Sequence, residues 1–360
     1  MKLKNKTIFV GVSGGVDSAV AAAMLLEQGF NVVGVFIRTW SPDFIECTWR
    51  NERRDAMRVC AHLGIPFLEC DAEDEYKNGV ADYMIEEYRK GNTPNPDVMC
   101  NREVKFGAFW NFAKNHGADF VATGHYAVSS YKSQTKNYEL KKGIDPAKDQ
   151  VYFLWTLKQE DLSHIIFPVG HLKKNEIRKM AQKYKLPNAV KKDSQGVCFL
   201  GPLDMKDFLS HYIKPQEGNV LNEEGEIIGS HNGATFFTLG ERHGFNIDKK
   251  FDNNKPFYIV GKNAKENTIV VSNSQLPRRA DNITGFKIVV INTNWISELP
   301  ELDKKYTAQI RYHGEFLECK IQILNKERAD VIFDKNILVD KGQSVVFYDK
   351  DACLGGAIVE

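Results

Sequence analysis

Three short stretches of the 360-residue chain hold residue types that could do chemistry: GVSGGVDS at 11–18, NPDVMC at 95–100 and DSQGVC at 193–198. The first follows the apolar run Thr7 to Val10 and precedes the helix-patterned SAVAAAMLLEQ. A strand, a glycine turn and a helix N-terminus together make an anion site, because the N–H groups of the first helical turn converge where the helix dipole favours negative charge. Gly14 and Gly15 let the backbone approach a phosphate without a Cβ in the way, and the Ser13 and Ser18 hydroxyls can donate to its oxygens. The Lys-Ser/Thr ending of a Walker A loop is missing, so transfer of a γ-phosphate is not the expected reaction. Asp17 brings a negative charge beside a polyanion, which implies a divalent cation between them, magnesium.

In the second stretch, Pro94 and Pro96 bias Thr93 and Asn95 toward extended backbone, so GNTPNPDVMC reads as a stiff loop. Asp97 and Cys100 lie three apart, just before an apolar-patterned helix expected from about Asn101 to Asn115. A cysteine near a helix N-terminus has its thiolate favoured by the dipole. A helix-capping aspartate and a half-buried structural thiol are, taken alone, the commoner uses of these residues. In the third stretch, Cys198 follows Lys191, Lys192, Asp193, Ser194 and Gly196, a polar context with positive charge to favour a thiolate. A structural role fits Cys198 equally well, and nothing in the spacing brings Cys100 and Cys198 together.

The elements that must position these stretches alternate. TIFVGV, NVVGVFIR, PFLEC and DFVATGH read as strands between helix patterns, which implies an α/β domain with a mainly parallel sheet covered on both faces. Ligands of such sheets lie beyond the strand C-termini, where GVSGGVDS falls. After about Leu209 the texture turns to Gly, Asn and short β-like runs, among them GNVLNEEGEIIGSHNG, ATFFTL, PFYIVG and TIVVS. From about Gly285, six apolar runs separated by turn residues predict a small antiparallel barrel or sandwich. Three modules are expected, at 1–209, 210–284 and 285–360. In TAQIRYHG, alternation predicts Ala308 and Ile310 on one face and Gln309 and Arg311 on the other, with Arg311 exposed.

Charge is nearly balanced, 48 Lys and Arg against 47 Asp and Glu, so any nucleic-acid surface must be a local patch. The start, MKLKNK, lacks a signal-peptide apolar stretch, and no run reaches the length of a membrane span; a cytoplasmic protein is expected. Seven cysteines, an odd number, argue against a structural disulfide framework. Cys47, Cys60 and Cys70 show no C-x-x-C spacing, which predicts no iron–sulfur cluster, and Cys319 and Cys353 lie in strand patterns as core residues.

SGGVDS resembles the SGGxDS PP-loop of the ATP pyrophosphatases, enzymes that split ATP between its α- and β-phosphates and activate a carbonyl oxygen by adenylation. GVSGGVDS, NPDVMCN, ATGHY, KDQVYFLW, DSQGVCFLG, IRYHG and CLGGAIVE, in this order, resemble the bacterial tRNA-specific 2-thiouridylases through nearly the whole chain. That resemblance implies an adenine nucleotide α-hydrolase-like PP-loop domain, a β-rich central domain and a tRNA-holding C-terminal barrel. It implies adenylation of the C2 oxygen of the wobble uridine, position 34, in tRNAs of the Lys, Glu and Gln type, and then sulfur transfer. Cys198 would carry a persulfide delivered by a sulfur-relay protein or a cysteine desulfurase. Cys100 would attack it and form a transient disulfide with Cys198, while Asp97 acts as general acid or base. Gly11, Val12, Ser13, Gly14, Gly15, Val16, Asp17 and Ser18 would hold the ATP phosphates, with Ile37 by the adenine and Gly124 behind the nucleotide. Asn95, Pro96 and Asp97 would contact the target base; His125, Lys148, Asp149, Gln150, Arg311, Tyr312 and Gln343 would contact the tRNA. No dedicated metal ligands and no more than a monomer are implied.

One departure from the family is expected to weaken a phosphate contact: Glu241 and His243 stand in TLGERHGFN where a glutamine and a lysine are usual. Two other readings stay open, another PP-loop tRNA-modifying ligase and a non-catalytic tRNA-binding scaffold. Paired cysteines speak against the first, because an amine nucleophile needs no thiol, and an intact SGGVDS speaks against the second.

Overall fold

The computed structural model describes residues 5–45, 49–193, 204–249, 255–274 and 286–360. Its first sheet is parallel throughout. Strands β1 (Thr7–Gly11), β2 (Asn31–Arg38), β3 (Phe67–Asp71) and β4 (Phe120–Ala122) lie in the order β3-β2-β1-β4, and Ile165–Ile166 pairs with the outer edge of β4. The apolar runs that mark these strands are buried: Ile8, Val10, Val35, Val121 and Ala122 are wholly inaccessible. Helices α1 (Val16–Glu27) and α2 (Trp49–Leu63) pack on one face. The small side chains of Ala19, Ala21, Ala22 and Ala23 let α1 sit close on the sheet, and all four are buried. The chain runs from β1 outward to β3 and then returns to the other side of β1, so a crevice opens at the C-termini of β1 and β4.

Strand β5 (Ala127–Lys132) and strand β6 (Asn137–Lys142) form a hairpin that the sequence reading passed over. A five-stranded mixed sheet spans Gly218 to Ser272 and encloses its own apolar cluster around Val220, Ile259 and Ile269. ATFFTL is not a strand there; Ala234–Phe236 is a tight 3-10 turn, preceded by Gly233 at φ 130. The C-terminal six strands, from Phe286–Trp295 to Ala352–Val359, close into a barrel by pairing of the first with the last. β6 adds to that final barrel strand, Leu140 opposite Cys353, and so joins the first module to the third. The alternation expected in TAQIRYHG holds for buried Ala308 and Ile310 and exposed Arg311 but not for Gln309, where the strand ends and which is as buried as Ile310. Its amide accepts the Tyr348 hydroxyl at 2.9 Å and donates to the Gly314 carbonyl at 3.0 Å, which satisfies a polar group inside the barrel wall. No helix among the described residues is long and apolar enough to cross a membrane.

Candidate functional site

The Gly11–Ser18 loop occupies the crevice. Val12 N–H donates to the Val35 carbonyl at 2.8 Å, and buried Val12 and Val16 anchor the loop in the sheet. Gly14 has φ 73, and a Cβ there would stand 2.7 Å from the Glu52 carbonyl of α2, so only glycine fits. Gly15 is the N-cap of α1, and no side chain caps it, which leaves the N-terminal dipole of a twelve-residue helix facing the crevice. The buried Ser18 hydroxyl donates to the Gly15 carbonyl at 3.3 Å, and exposed Ser13 lies 3.4 Å from it. Gly124, just past β4, is pressed against α1: a Cβ there would stand 2.6 Å from the Ser18 nitrogen. A Cβ on Gly11 would meet Phe109 at 3.5 Å and Ile37 at 3.7 Å, so these side chains floor the same crevice. The glycine-lined cradle and its uncapped helix fit a chain of phosphates.

Asp17 is already neutralised. Lys174 Nζ donates to both its carboxylate oxygens, at 2.7 and 2.9 Å, and the Tyr126 hydroxyl donates to it at 2.8 Å. Lys174 also pairs with Asp193 at 2.8 Å, which takes Lys148 at 2.7 Å and Arg178 at 2.6 Å as well. Burial pushes the Asp193 carboxyl up, but hydrogen bonds from Lys148 and Lys174 outweigh it and hold it down at about 2. Lys174 therefore partners Asp17 at the cradle, and no cluster of three or more His, Cys, Asp or Glu side chains able to hold a metal occurs among the described residues. Asn188, 7% exposed, clamps the loop from behind by donating to the carbonyls of Gly14 and Gly15, both at 3.0 Å. Lys174 and Asn188 carry no local sequence signal, because each reaches the loop across more than 150 residues.

The second stretch is less of a loop than its prolines imply. A helix starts at Pro96, and Asn95 is its cap, accepting Val98 N–H at 3.2 Å, so Asp97 is a half-buried first-turn residue rather than the cap. Cys100 is 1% exposed and shares an apolar cluster with Phe9, Ile37 and Phe109, beneath the strand that feeds the cradle. The helix widens to π geometry over Asn101–Ala108, and Asn101 donates to the carbonyls of Asp97 at 3.0 Å and Phe153 at 3.3 Å. Tyr312 of the barrel lies 4.4 Å from Phe153, ring to ring. Its phenol is pushed up to about 12 by burial and by the charges of Asp149 and Asp97. Burial also raises the Tyr152 phenol, against an opposing hydrogen bond with Asn95 and the charge of Arg311. The barrel thus reaches the helix start through Tyr312, whose ring lies against Phe153. Beside them opens a cavity of about 530 Å³ lined by Lys142, Asp149, Tyr312, His313 and Phe316.

Other expected site residues have partners within the fold. His125 is 6% exposed, bonded to the Thr123 hydroxyl at 2.7 Å between the rings of Phe106 and Phe167; burial, then the charge of Lys105, holds it neutral. Asp149 accepts N–H bonds from Gly143 and Val151, and Gln150 accepts one from Tyr126. Arg311 is exposed and donates to the Leu338 carbonyl at 3.2 Å, while Gln343 accepts Asp340 N–H at 2.9 Å. Glu241 accepts Thr238 N–H at 3.1 Å and pairs with Lys206 at 3.6 Å, a structural use of the departing residue. Lys191 pairs with Asp55 at 2.8 Å, so the positive charge expected from it beside Cys198 is already matched. Cys198 itself, Ser194, Gly196 and Cys47 lie outside the described residues. Cys60, Cys70, Cys319 and Cys353 are buried, and burial pushes their thiols up to between about 11 and about 12.

Residues 6–202 match the family described as tRNA methyl transferase HUP domain, 206–273 the tRNA methyl transferase PRC-barrel domain and 286–359 the aminomethyltransferase beta-barrel domain. The tRNA-specific 2-thiouridylase MnmA of Bacillus cytotoxicus is 43% identical over 365 residues, covering 100% of this chain and 96% of the relative, and that of Bacillus anthracis matches to the same extent. Among solved structures, the U34-tRNA thiolase NcsA of Methanococcus maripaludis aligns at 18% identity over 58% of this chain and 65% of that one, with a TM-score of 0.37, too distant to carry an argument.

Proposed function

The chain belongs to the family of tRNA-specific 2-thiouridylases, and from that membership we propose how its own residues carry the reaction. The enzyme is a tRNA sulfurtransferase that uses ATP to replace the C2 oxygen of the wobble uridine with sulfur, releasing AMP and pyrophosphate. Oxygen is a poor leaving group, so the uridine must first be activated. The C2 oxygen attacks the α-phosphorus of ATP and pyrophosphate departs. Gly11 to Ser18, backed by Gly124, hold the phosphates, and Ile37 borders the adenine. The uncapped start of α1 stabilises charge that builds on the phosphates, and Lys174 removes the repulsion that Asp17 would otherwise exert. ATP would bring magnesium, which would neutralise charge on the phosphates, and the Asp17 carboxylate, held at the cradle by Lys174, would help to hold it.

Asp97 serves as general acid or base at the target base, which Asn95 and Pro96 help to seat. Cys198 carries the persulfide, loaded by a sulfur-relay protein or a cysteine desulfurase. The Cys100 thiolate attacks the Sγ of Cys198, a disulfide forms, and hydrosulfide is released to add at C2 and expel AMP with the former C2 oxygen. A thiol reductant reopens the disulfide before the next turnover. His125, Lys148, Asp149, Gln150, Arg311, Tyr312 and Gln343 bear the tRNA, through exchange of their present intramolecular partners where they are turned inward. The protein acts as a cytoplasmic monomer.

The observation that supports this reading best is the Gly11–Ser18 cradle at the uncapped start of α1, backed by Gly124 and with Ile37 and Phe109 against Gly11. The test is tRNA-dependent AMP formation scored together with thiolation in Asp17→Ala and Cys198→Ser. The first should lose AMP formation and the second only sulfur transfer; wild-type thiolation by Cys198→Ser would refute the persulfide role.

A further inference from the structure

The segment that leads into the catalytic helix is held by a side-chain cluster to which all three modules contribute. Thr93, two residues before the Asn95 cap, is 7% exposed. Its hydroxyl donates to Asp340 Oδ2 at 2.7 Å and accepts from Lys262 Nζ at 3.2 Å. Lys262, from the central sheet, and Asp340, from the barrel, pair at 2.6 Å with side chains 6% and 3% exposed. Lys262 donates further to the Phe237 carbonyl at 2.8 Å, and Asp340 accepts the N–H groups of Lys341 at 2.9 Å and Leu239 at 3.3 Å. Thr93 N–H donates to the Lys341 carbonyl at 2.7 Å. Gly342, at φ 86, lies so close that a Cβ on it would stand 3.1 Å from the Thr93 backbone.

A buried ion pair is a poor device for stability alone, because desolvation offsets most of its attraction and apolar side chains of similar volume would hold the modules as well. What the charged arrangement adds is direction. Each of its members has fixed hydrogen-bond partners, so the position of Thr93, and of the helix start that follows it, is set by where the central sheet and the barrel sit. The barrel turn that supplies Asp340 also carries Gln343, whose side chain accepts Asp340 N–H at 2.9 Å. We propose that Thr93, Lys262 and Asp340 are positioning residues for the thiolation reaction: they fix the helix start bearing Asp97 and Cys100 against the barrel turn that meets tRNA. The inference rests on the reading of Asp97 and Gln343 as tRNA-facing residues.

The test compares Thr93→Val, which keeps shape and loses the hydroxyl, with Thr93→Ser, which keeps the hydroxyl and loses the methyl. In the full-length enzyme, Thr93→Val should lower kcat for tRNA-dependent AMP formation by about tenfold or more. tRNA Kd and ATP KM should stay within about twofold of wild type, and Thr93→Ser should retain wild-type kcat. A packing role predicts the reverse order, with serine impaired and valine tolerated, and that result would overturn the proposal. The double variant Lys262→Met with Asp340→Leu removes both charges without stranding either one. It should melt only a few degrees lower, because the Phe237 carbonyl and the Leu239 and Lys341 N–H groups lose a partner, should lose kcat to a similar degree, and adding Thr93→Val to it should cost nothing more. Wild-type kcat in that double variant would also overturn the proposal. Absence of tRNA-dependent AMP formation in the wild type would sink the underlying functional reading, and the inference with it.

Discussion

Replacing Gly124 by alanine adds one methyl group where two elements already touch. The new Cβ would lie 2.6 Å from the Ser18 nitrogen, 2.9 Å from the Asp17 carbonyl carbon and 3.1 Å from the Asp17 Cβ, whereas ordinary contacts begin at 3.4 Å. The end of β4 and the first turn of α1 must therefore separate by ~0.8 Å, and because two of the three atoms are backbone, no rotamer change relieves the clash. Overpacking of this kind costs about 1–3 kcal/mol of stability. A shift approaching 1 Å in groups that position a reacting substrate costs about 100-fold in rate. We expect kcat/KM for ATP to fall by about two orders of magnitude and the melting temperature by several degrees, with tRNA Kd unchanged because the helix start at Pro96 is not displaced. The assay is AMP formation against ATP concentration at saturating tRNA, with thermal melts alongside. Gly261→Ala is the control, since a Cβ there meets Val270 at an ordinary 3.4 Å. Wild-type kcat/KM in Gly124→Ala, or a loss confined to tRNA affinity, would refute the reasoning.

Asn188→Ala removes two hydrogen bonds from buried loop carbonyls and should cost about 1–3 kcal/mol in stability, while raising KM for ATP more than KM for tRNA; chemical denaturation and steady-state kinetics read both, and an equal rise in the two KM values would contradict the clamp. His125, His164 and His231 are all held below the usual imidazole range by burial. The unfolded chain binds protons at these groups near pH 6.5 that the folded chain does not, so stability should be full above that pH and fall as the solution is acidified through it. His125→Asn should flatten part of that decline in a melting-temperature profile from pH 7.5 to 5, and an unchanged slope would contradict the buried neutral imidazole.

The parallel sheet was legible because its strands are continuous apolar runs ended by glycine or acid, a pattern that burial on both faces enforces. The cradle was legible for the same reason that it works, as two adjacent glycines after a buried strand have no packing role. The start of the helix at Pro96 was legible but misread: Pro94 and Pro96 suggested a loop, whereas asparagine followed by proline is also the cap and first position of a helix. Gln309 broke the expected alternation because the strand ends there and the barrel wall satisfies its amide, which depends on Tyr348 and Gly314. The Lys174–Asp17 pair and the Thr93–Lys262–Asp340 cluster are invisible locally, since each depends on partners brought together only by the finished fold, as does the pairing of β6 with the last barrel strand. Tertiary context rather than local pattern decides such contacts.

The central claim, that the C2 oxygen of the wobble uridine is adenylated before sulfur replaces it, has a direct test in the fate of that oxygen. A tRNA carrying oxygen-18 only at C2 of this uridine is incubated with the enzyme, ATP and a persulfide donor, and the AMP and the tRNA are weighed by mass spectrometry. The account predicts one oxygen-18 in the phosphate of each AMP, matched by one sulfur gained at the labelled base. Unlabelled AMP formed alongside thiolated tRNA would contradict it.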